Sequence, residues 1–145
     1  MIYGIDTSFI VQVEVALHPG HEQARELRDR VLDAGDRFAL APQVLAEVIH
    51  VVTDERRFAR PLSIEAARQR AEAWWNAEEV APALPNEHTA AQFFNWLSEH
   101  RLGRKRLLDT LLAATYRSND ITAIITANTR DFAIFGCFEL LTSPA

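Results

Sequence analysis

IYGIDTS (residues 2–8) has the pattern of a short buried strand that ends at an acid and leads directly into a new element. Asp6 follows the apolar residues, and the hydroxyls of Thr7 and Ser8 favour a turn or a helix N-terminus. The next residues fit a helix, but β-branched valines at positions 11, 13 and 15 also fit a strand. We therefore expect a helix after Ser8 and keep a strand as the alternative.

Strand-like and helix-like segments alternate along the rest of the chain. Further strands are predicted at residues 38–41, 80–84, 122–126 and about 138–142, and helices at 21–34, 42–57, 63–79, 87–100 and 107–117. This alternation is typical of parallel strands joined by right-handed crossovers. We expect a single domain over residues 1–145, a three-layer α/β/α sandwich with a mainly parallel sheet of about five strands.

Composition narrows the class of protein. A chain of 145 residues with 48% hydrophobic content can bury a core of its own. The sequence contains no apolar run of the length that spans a membrane, and no signal peptide precedes the first strand, so we expect a cytoplasmic protein. The single cysteine, Cys137, excludes an internal disulfide and a cysteine metal cluster.

The charge is unevenly distributed. A net charge of −5 argues against broad attachment to nucleic acid. Basic residues nevertheless form two clusters, Arg56, Arg57 and Arg60 in one and Arg101, Arg104, Lys105 and Arg106 in the other. Each cluster is either a solvated helix end or a rim that contacts phosphates around an acidic centre.

Four acids occupy positions that are unfavourable for local structure. Asp6 ends the first strand, Glu47 interrupts an apolar helix face, Asp109 lies in an almost wholly apolar helix, and Asp131 follows the strand at 122–126. A carboxylate on an apolar surface is costly unless it is paired or binds a metal, and clustered carboxylates repel one another. Together these four residues indicate a divalent-cation site.

The predicted elements allow the acids to meet. Sites in parallel α/β folds gather beyond the carboxyl ends of the strands, where Asp6 and residues 126–131 fall. Glu47 is expected at the edge of its helix's apolar arc, from which it can reach a cleft. Asp109 is expected in the first helical turn, where the helix dipole softens the cost of a carboxylate. Taken singly, Glu47 also fits a surface acid, and Asp109 fits a helix cap.

Four segments of the chain resemble the PIN-domain nucleases, and within them the VapC-type toxins of toxin–antitoxin pairs. The matching segments are Ile5-Asp6-Thr7-Ser8, Leu45-Ala46-Glu47-Val48, Leu108-Asp109-Thr110-Leu111-Leu112-Ala113-Ala114 and Thr126-Ala127-Asn128-Thr129-Arg130-Asp131-Phe132. The resemblance runs from residue 2 to residue 142. One such motif is common, whereas four in this order and spacing are fairly specific.

The resemblance implies a PIN-like fold and Mg²⁺- or Mn²⁺-dependent cleavage of RNA. Asp6, Glu47, Asp109 and Asp131 match the four acids of the family in order, and Thr126 matches its hydroxyl position, which Asn128 would support. The resemblance also implies a homodimer and inhibition by a small antitoxin. The helices carrying residues 44–52 and 64–75 have apolar side chains to spare for either contact.

Phosphodiester hydrolysis suits these residue types, because it needs an activated water and neutralised phosphate oxygens. We expect Asp6 and Asp109 to be the principal metal ligands, and Glu47 to orient or deprotonate water or to bind a second ion. Asp131 would complete the ring directly or through water. The hydroxyls of Thr7, Ser8 and Thr126 would support the ligands or contact phosphate, with capping and turn formation as the alternative.

Other functions remain open at this point. A phosphatase with Asp6 as a covalent nucleophile would need a second aspartate at position 8, which is serine. A receiver domain would need an acidic pair near the first strand, where residues 4 and 5 are Gly-Ile. A noncatalytic module binding nucleic acid or protein would tolerate loss of the acids. A housekeeping PIN nuclease without an antitoxin is the remaining alternative.

Overall fold

The structure is a computed structural model, and it describes residues 1–143. Its elements are β1 (Ile2–Ile5), α1 (Thr7–Glu14), α2 (His21–Asp33), β2 (Arg37–Leu40), α3 (Pro42–Val52), α4 (Ile64–Asn76), β3 (Val80–Pro82), α5 (Thr89–Glu99), α6 (Leu107–Ser118), β4 (Ala123–Thr126), α7 (Thr129–Ala133) and β5 (Glu139–Thr142), with a short 3₁₀ turn at Arg104–Arg106. None of the helices in this part of the chain is long and apolar enough to span a lipid bilayer.

The five strands form one sheet in the order β3-β2-β1-β4-β5, and every neighbouring pair is parallel. The predicted α/β/α sandwich is therefore confirmed. The chain moves from β1 through β2 to β3 in one direction and then returns to β4 and β5 on the other side of β1. Right-handed crossovers consequently place α1–α4 on one face of the sheet and α5–α7 on the other. The reversal between β1 and β4 opens a crevice at the carboxyl ends of these two strands.

The segment after Asp6 is a helix, as expected, and the strand alternative is wrong. The Asp6 carboxylate accepts a hydrogen bond from the backbone N–H of Phe9 and so caps α1. Phe9, Ile10 and Val13 are buried beneath this helix. Burial of one helical face therefore outweighs the β-propensity of the valines.

Helix α3 ends at Val52, five residues earlier than the predicted end at residue 57. The Thr53 hydroxyl donates to the carbonyl oxygen of Ile49, and the Asp54 carboxylate accepts from the backbone N–H of Arg56. Short polar side chains compete in this way with helix continuation. Residues 53–63 consequently form a loop that carries the first basic cluster away from the helix.

One further element differs from the expectation. The helix α7 is not among the predicted elements, and it carries Asp131. In α5, Phe94 is 66% exposed, whereas Trp96 is buried and stacks on Phe135. Trp74 packs against Phe9 and Phe38 in the core on the opposite face of the sheet. Trp96 is therefore a core residue, and the half-buried Trp74 packs against the core.

Candidate active site

Three of the four predicted acids line one cavity of about 1020 Å³ at the carboxyl ends of β1 and β4. Asp6 lies between β1 and α1, Glu47 in the middle of α3, and Asp109 in the first turn of α6. The three elements come from both faces of the sheet and meet at the crevice. Asp131, in α7, does not line this cavity.

Asp6 is the most enclosed acid, with 7% of its surface exposed. Its Oδ2 accepts from the Thr126 hydroxyl at 2.5 Å, and its Oδ1 accepts from the Ser8 hydroxyl at 2.7 Å. Burial raises the pKa of this carboxyl, the hydrogen bonds from Thr126, Ser8 and the Phe9 N–H oppose the rise, and the nearby Glu47 charge adds to it. The buried side chain is thus held in one orientation by hydroxyl groups.

The predicted supporting hydroxyls connect the acids to the loop after β4. The Thr7 hydroxyl donates to Glu47 Oε2 at 2.8 Å. The Ser8 hydroxyl accepts from the N–H of Ala127 at 3.1 Å, and the Thr126 hydroxyl accepts from the N–H of Asn128 at 3.0 Å. Asn128 itself is exposed and lines the cavity. All four supporting positions therefore lie at the site.

Asp109 has the clearest electrostatic perturbation. Its pKa is raised from an ordinary value of 3.8 to about 6, chiefly by burial and then by the charges of Asp131, Asp6 and Glu47, while Arg106 lowers it. The side chain is half-buried and lines the cavity. The negative charges of the neighbouring carboxylates, which the Arg106 guanidinium offsets only in part, form an electrostatic environment that favours a bound cation.

Asp131 is close enough to raise the pKa of Asp109, but it is engaged by Arg106. One guanidinium nitrogen of Arg106 lies 4.0 Å from Asp131 Oδ1, and the other donates to the Asp131 backbone carbonyl. The structure therefore places Asp131 at the edge of the group of acids and pairs it with the Arg106 guanidinium. Arg106 was expected to be available for contact with phosphate. In the structure it is half-buried and directed at α7.

The other predicted RNA-contacting residues, Arg101, Arg104 and Lys105, are exposed and do not line the cavity. The basic residues that do line it are Arg57 and Arg60, from the loop after α3. Sequence reasoning also passed over Gln12 and His18, which line the same cavity. The signal for Gln12 was its helical spacing from Ser8, which places both on one face of α1.

The donor set suits a hard divalent cation, because it consists of carboxylate and hydroxyl oxygens with excess negative charge. Within residues 1–143, however, no group of three or more histidine, cysteine, aspartate or glutamate side chains is gathered tightly enough to hold an ion as it stands. The hydroxyls of Thr126, Ser8 and Thr7 occupy lone pairs of Asp6 and Glu47. The oxygen ligands that a divalent metal ion prefers are thus present. The carboxylate side chains would have to rotate to gather around the ion.

The raised pKa of Asp109 predicts the pH dependence of stability in the metal-free protein. A carboxyl whose pKa is higher in the folded state stabilises the fold below its unfolded pKa, and this contribution is lost as pH rises through the folded value of about 6. Asp109→Asn should therefore raise the melting temperature at pH 7.5 by about 2–4 °C, which is roughly 1 kcal/mol for a domain of this size. The substitution should also reduce the decline in melting temperature as the pH rises from 4 to 6.

Thermal unfolding followed by circular dichroism in EDTA would measure both effects. Asp33→Asn, which removes an exposed acid on α2, is the matched control and should leave the profile unchanged. An Asp109→Asn protein with the wild-type pH profile would mean that Asp109 ionises normally in the fold.

Comparison with solved structures places the fold among known proteins. VapBC-1 from nontypeable Haemophilus influenzae is similar with a TM-score of 0.67 and 21% identity over 98% of each chain. VapC20 from Mycobacterium tuberculosis, described as a sarcin-ricin loop cleaving toxin, is similar with a TM-score of 0.62 and 21% identity over 86% of this chain and 87% of that one. VapBC2 from Rickettsia felis, solved with a DNA fragment from its promoter, has a TM-score of 0.65 and 17% identity over 98% of each chain.

These identities are low enough that the similarity concerns the fold alone. A search of curated proteins found no match to the sequence. The family model of the PIN domain, in contrast, matches residues 3–135, a span that includes all four acids. The chain belongs to the PIN domain family.

Proposed function

We propose that this chain is a single PIN domain that hydrolyses RNA phosphodiester bonds with Mg²⁺ or Mn²⁺. The observation that carries the proposal is the convergence of Asp6, Glu47 and Asp109 on one cavity from three separate elements. Members of the family are nucleases, and hydrolysis of a phosphodiester is the chemistry that a cluster of carboxylates around a hard cation supports.

Asp6 and Asp109 are proposed to hold the cation, with Glu47 as a further ligand or as the group that orients the attacking water. When bound, the cation would supply charge neutralisation on the phosphate and a more acidic water. Asp131 would contribute through water or through its effect on Asp109. Thr126 and Ser8 would keep Asp6 in position, and Thr7 would do the same for Glu47, since these hydroxyls already contact the carboxylates.

RNA is the proposed substrate class, and the cytoplasm is the proposed compartment. One protein with a similar fold is described as a toxin that cleaves the sarcin-ricin loop. The cavity joins the acids to Arg57 and Arg60, so a strand whose reacting phosphate lies at the acids can place another phosphate near a guanidinium. The test is cleavage of single-stranded RNA by purified protein in Mg²⁺. Undiminished cleavage in excess EDTA would contradict the metal-dependent mechanism.

The salt dependence of RNA binding would measure the role of each basic cluster. Arg57→Gln/Arg60→Gln should lower the slope of log affinity against log salt by about 1.4, because each lost phosphate contact removes about 0.7 for single strands. Fluorescence anisotropy in EDTA, which keeps the RNA intact, is the measurement. Arg101→Gln/Arg104→Gln should lower the slope as well if RNA passes the N-terminus of α6.

Arg25→Gln/Arg30→Gln removes two exposed charges on α2 that do not line the cavity, so it controls for a general change of net charge. An equal reduction of the slope in this control would assign the effect to overall charge. An unchanged slope in either of the other double variants would return that cluster to the solvated surface.

We also propose that the chain is the toxin of a type II toxin–antitoxin pair and forms a homodimer. The four motifs resemble VapC-type toxins, and structures with a similar fold include VapBC and FitAB complexes. Exposed apolar side chains that a partner could cover are Ile64 of α4, 66% exposed, and Leu17, which is 81% exposed and lines the cavity. An amphipathic antitoxin segment could cover such side chains and direct an arginine or lysine at the acids.

A further inference from the structure

Tyr116 connects the three elements that carry the cavity acids. Its ring and hydroxyl are fully buried. The hydroxyl donates to the carbonyl oxygen of Ile5 at 2.5 Å, lies 3.2 Å from the carbonyl oxygen of Ala39, and accepts from the backbone N–H of Ala41 at 3.4 Å. Ile5 directly precedes Asp6, Ala41 directly precedes α3, and Tyr116 itself lies in α6.

The ring of Tyr116 rests directly on Gly4 of β1. A Cβ added at Gly4 would lie 2.7 Å from Cδ2 and 2.9 Å from Cε2 of this ring, which is closer than side chains tolerate. Only glycine at this position lets α6 approach the strand at its present distance. The contact therefore determines how α6 and β1 are aligned along their lengths.

This alignment determines where Asp109 lies relative to Asp6. Asp109 precedes Tyr116 by seven residues, which is about two helical turns, so both side chains lie on nearly the same face of α6. Asp6 follows Gly4 by two residues of extended backbone, so both project toward the same face of the sheet. When Tyr116 rests on Gly4, Asp109 lies two turns farther along α6 and Asp6 two residues farther along the chain, directly after β1, and both carboxylates reach the cavity, which Leu112 of the intervening turn also lines.

The hydroxyl of Tyr116 also contacts the start of α3, the third element that carries a cavity acid. The N–H of Ala41 belongs to the N-cap residue, directly before α3, the helix of Glu47, and the Tyr116 hydroxyl supplies its acceptor. Tyr116 has no exposed surface, so water has no access to replace the hydroxyl. Loss of the hydroxyl would leave this N–H without that acceptor, and a buried donor without an acceptor favours movement of the helix start.

We infer that Tyr116 is a positioning residue: through Gly4 and through its hydroxyl it sets the spacing of Asp6, Glu47 and Asp109. The expected consequence is that the tyrosine hydroxyl supports metal binding and turnover without touching substrate. This consequence rests on the proposed function. It predicts a defect in the metal site from a residue buried two helical turns away from the nearest acid on its own helix.

Tyr116→Phe is the direct test, because it keeps the ring on Gly4 and removes only the hydroxyl. We expect the affinity for Mn²⁺, measured by titration calorimetry with the metal alone, to fall about tenfold, as is typical when a group supporting metal ligands is lost. The kcat for RNA cleavage should fall by about tenfold to a hundredfold, while KM should stay within about twofold. Gly4→Ala, which keeps the hydroxyl but displaces the ring, should also weaken Mn²⁺ binding.

Thr115→Val is the matched control. Thr115 is the preceding residue of the same helix, is fully buried, and donates its hydroxyl to the carbonyl oxygen of Leu111 within α6. Removal of the Thr115 hydroxyl also costs a buried hydrogen bond, but this bond lies within α6 and does not join α6 to β1 or α3. The Mn²⁺ affinity and kcat should therefore stay near the wild-type values. An equal loss in Thr115→Val, or wild-type Mn²⁺ affinity in Tyr116→Phe or Gly4→Ala, would overturn the inference.

Failure of the proposed function would be recognised separately. If the wild-type protein neither binds Mn²⁺ nor cleaves RNA, the proposed function is wrong, and crystal structures of wild type and Tyr116→Phe then decide the inference. A changed separation of the Asp6 and Asp109 carboxylates in Tyr116→Phe would support it. Carboxylates that superimpose in the two structures would contradict it.

Discussion

Asp6→Asn and Asp109→Asn should each lower the rate of RNA cleavage in Mg²⁺ by about a thousandfold, which corresponds to roughly 4 kcal/mol of lost transition-state stabilisation. Asparagine keeps the size of each side chain but removes the charge that would hold the cation. The effect should be large for both residues, because both line the cavity and each contributes to the excess of negative charge there.

The fold should survive both substitutions. Asp109→Asn removes a carboxylate that burial and its acidic neighbours destabilise, so this variant is expected to be at least as stable as the wild type above pH 6. Asp6→Asn retains an oxygen that can accept from Ser8 and the N–H of Phe9. Asp33→Asn, on the exposed side of α2, should cleave RNA at the wild-type rate. Full activity in either cavity variant would contradict the proposed roles of these acids.

Expression of the chain alone should arrest the growth of host cells, and co-expression of a small neighbouring gene should restore it. An unrestrained cytoplasmic ribonuclease is harmful, and an acidic cavity with two arginines at its rim can be blocked by a partner segment that carries a matching charge. The Asp109→Asn variant should be harmless at the same expression level, because it retains the surface but lacks the proposed metal ligand.

Growth curves and plating efficiency after induction would measure the effect, with protein abundance checked by immunoblotting. Light scattering of the purified protein would measure the oligomeric state. A chain that is monomeric and harmless, with no small partner gene beside it, would favour a housekeeping PIN nuclease over a toxin. Equal toxicity of the Asp109→Asn variant would separate growth arrest from nuclease chemistry.

Much of the fold could be predicted from the sequence because it depends on local patterns. The alternation of short apolar strands with amphipathic helices indicated a parallel α/β sandwich, and the sheet has the expected five strands. The acid after β1 and the acid in the first turn of α6 could be chosen as candidates from the sequence because each is exceptional among the apolar residues around it. Helical periodicity alone does not determine the buried face of α5: packing against α6 and stacking on Phe135 place Trp96 in the core and leave Phe94 exposed.

By itself the sequence determined which residues are available for chemistry and on which element each one lies, because strand and helix signals act over a few neighbouring residues. Only the tertiary structure decided that Asp6, Glu47 and Asp109 share a cavity while Asp131 pairs with Arg106. It also decided that Arg57 and Arg60, and not the cluster before α6, line that cavity. The physical reason is that such groupings depend on how elements far apart in the chain pack against one another, as Tyr116 packs against Gly4. Local propensity carries no information about which distant elements will be in contact.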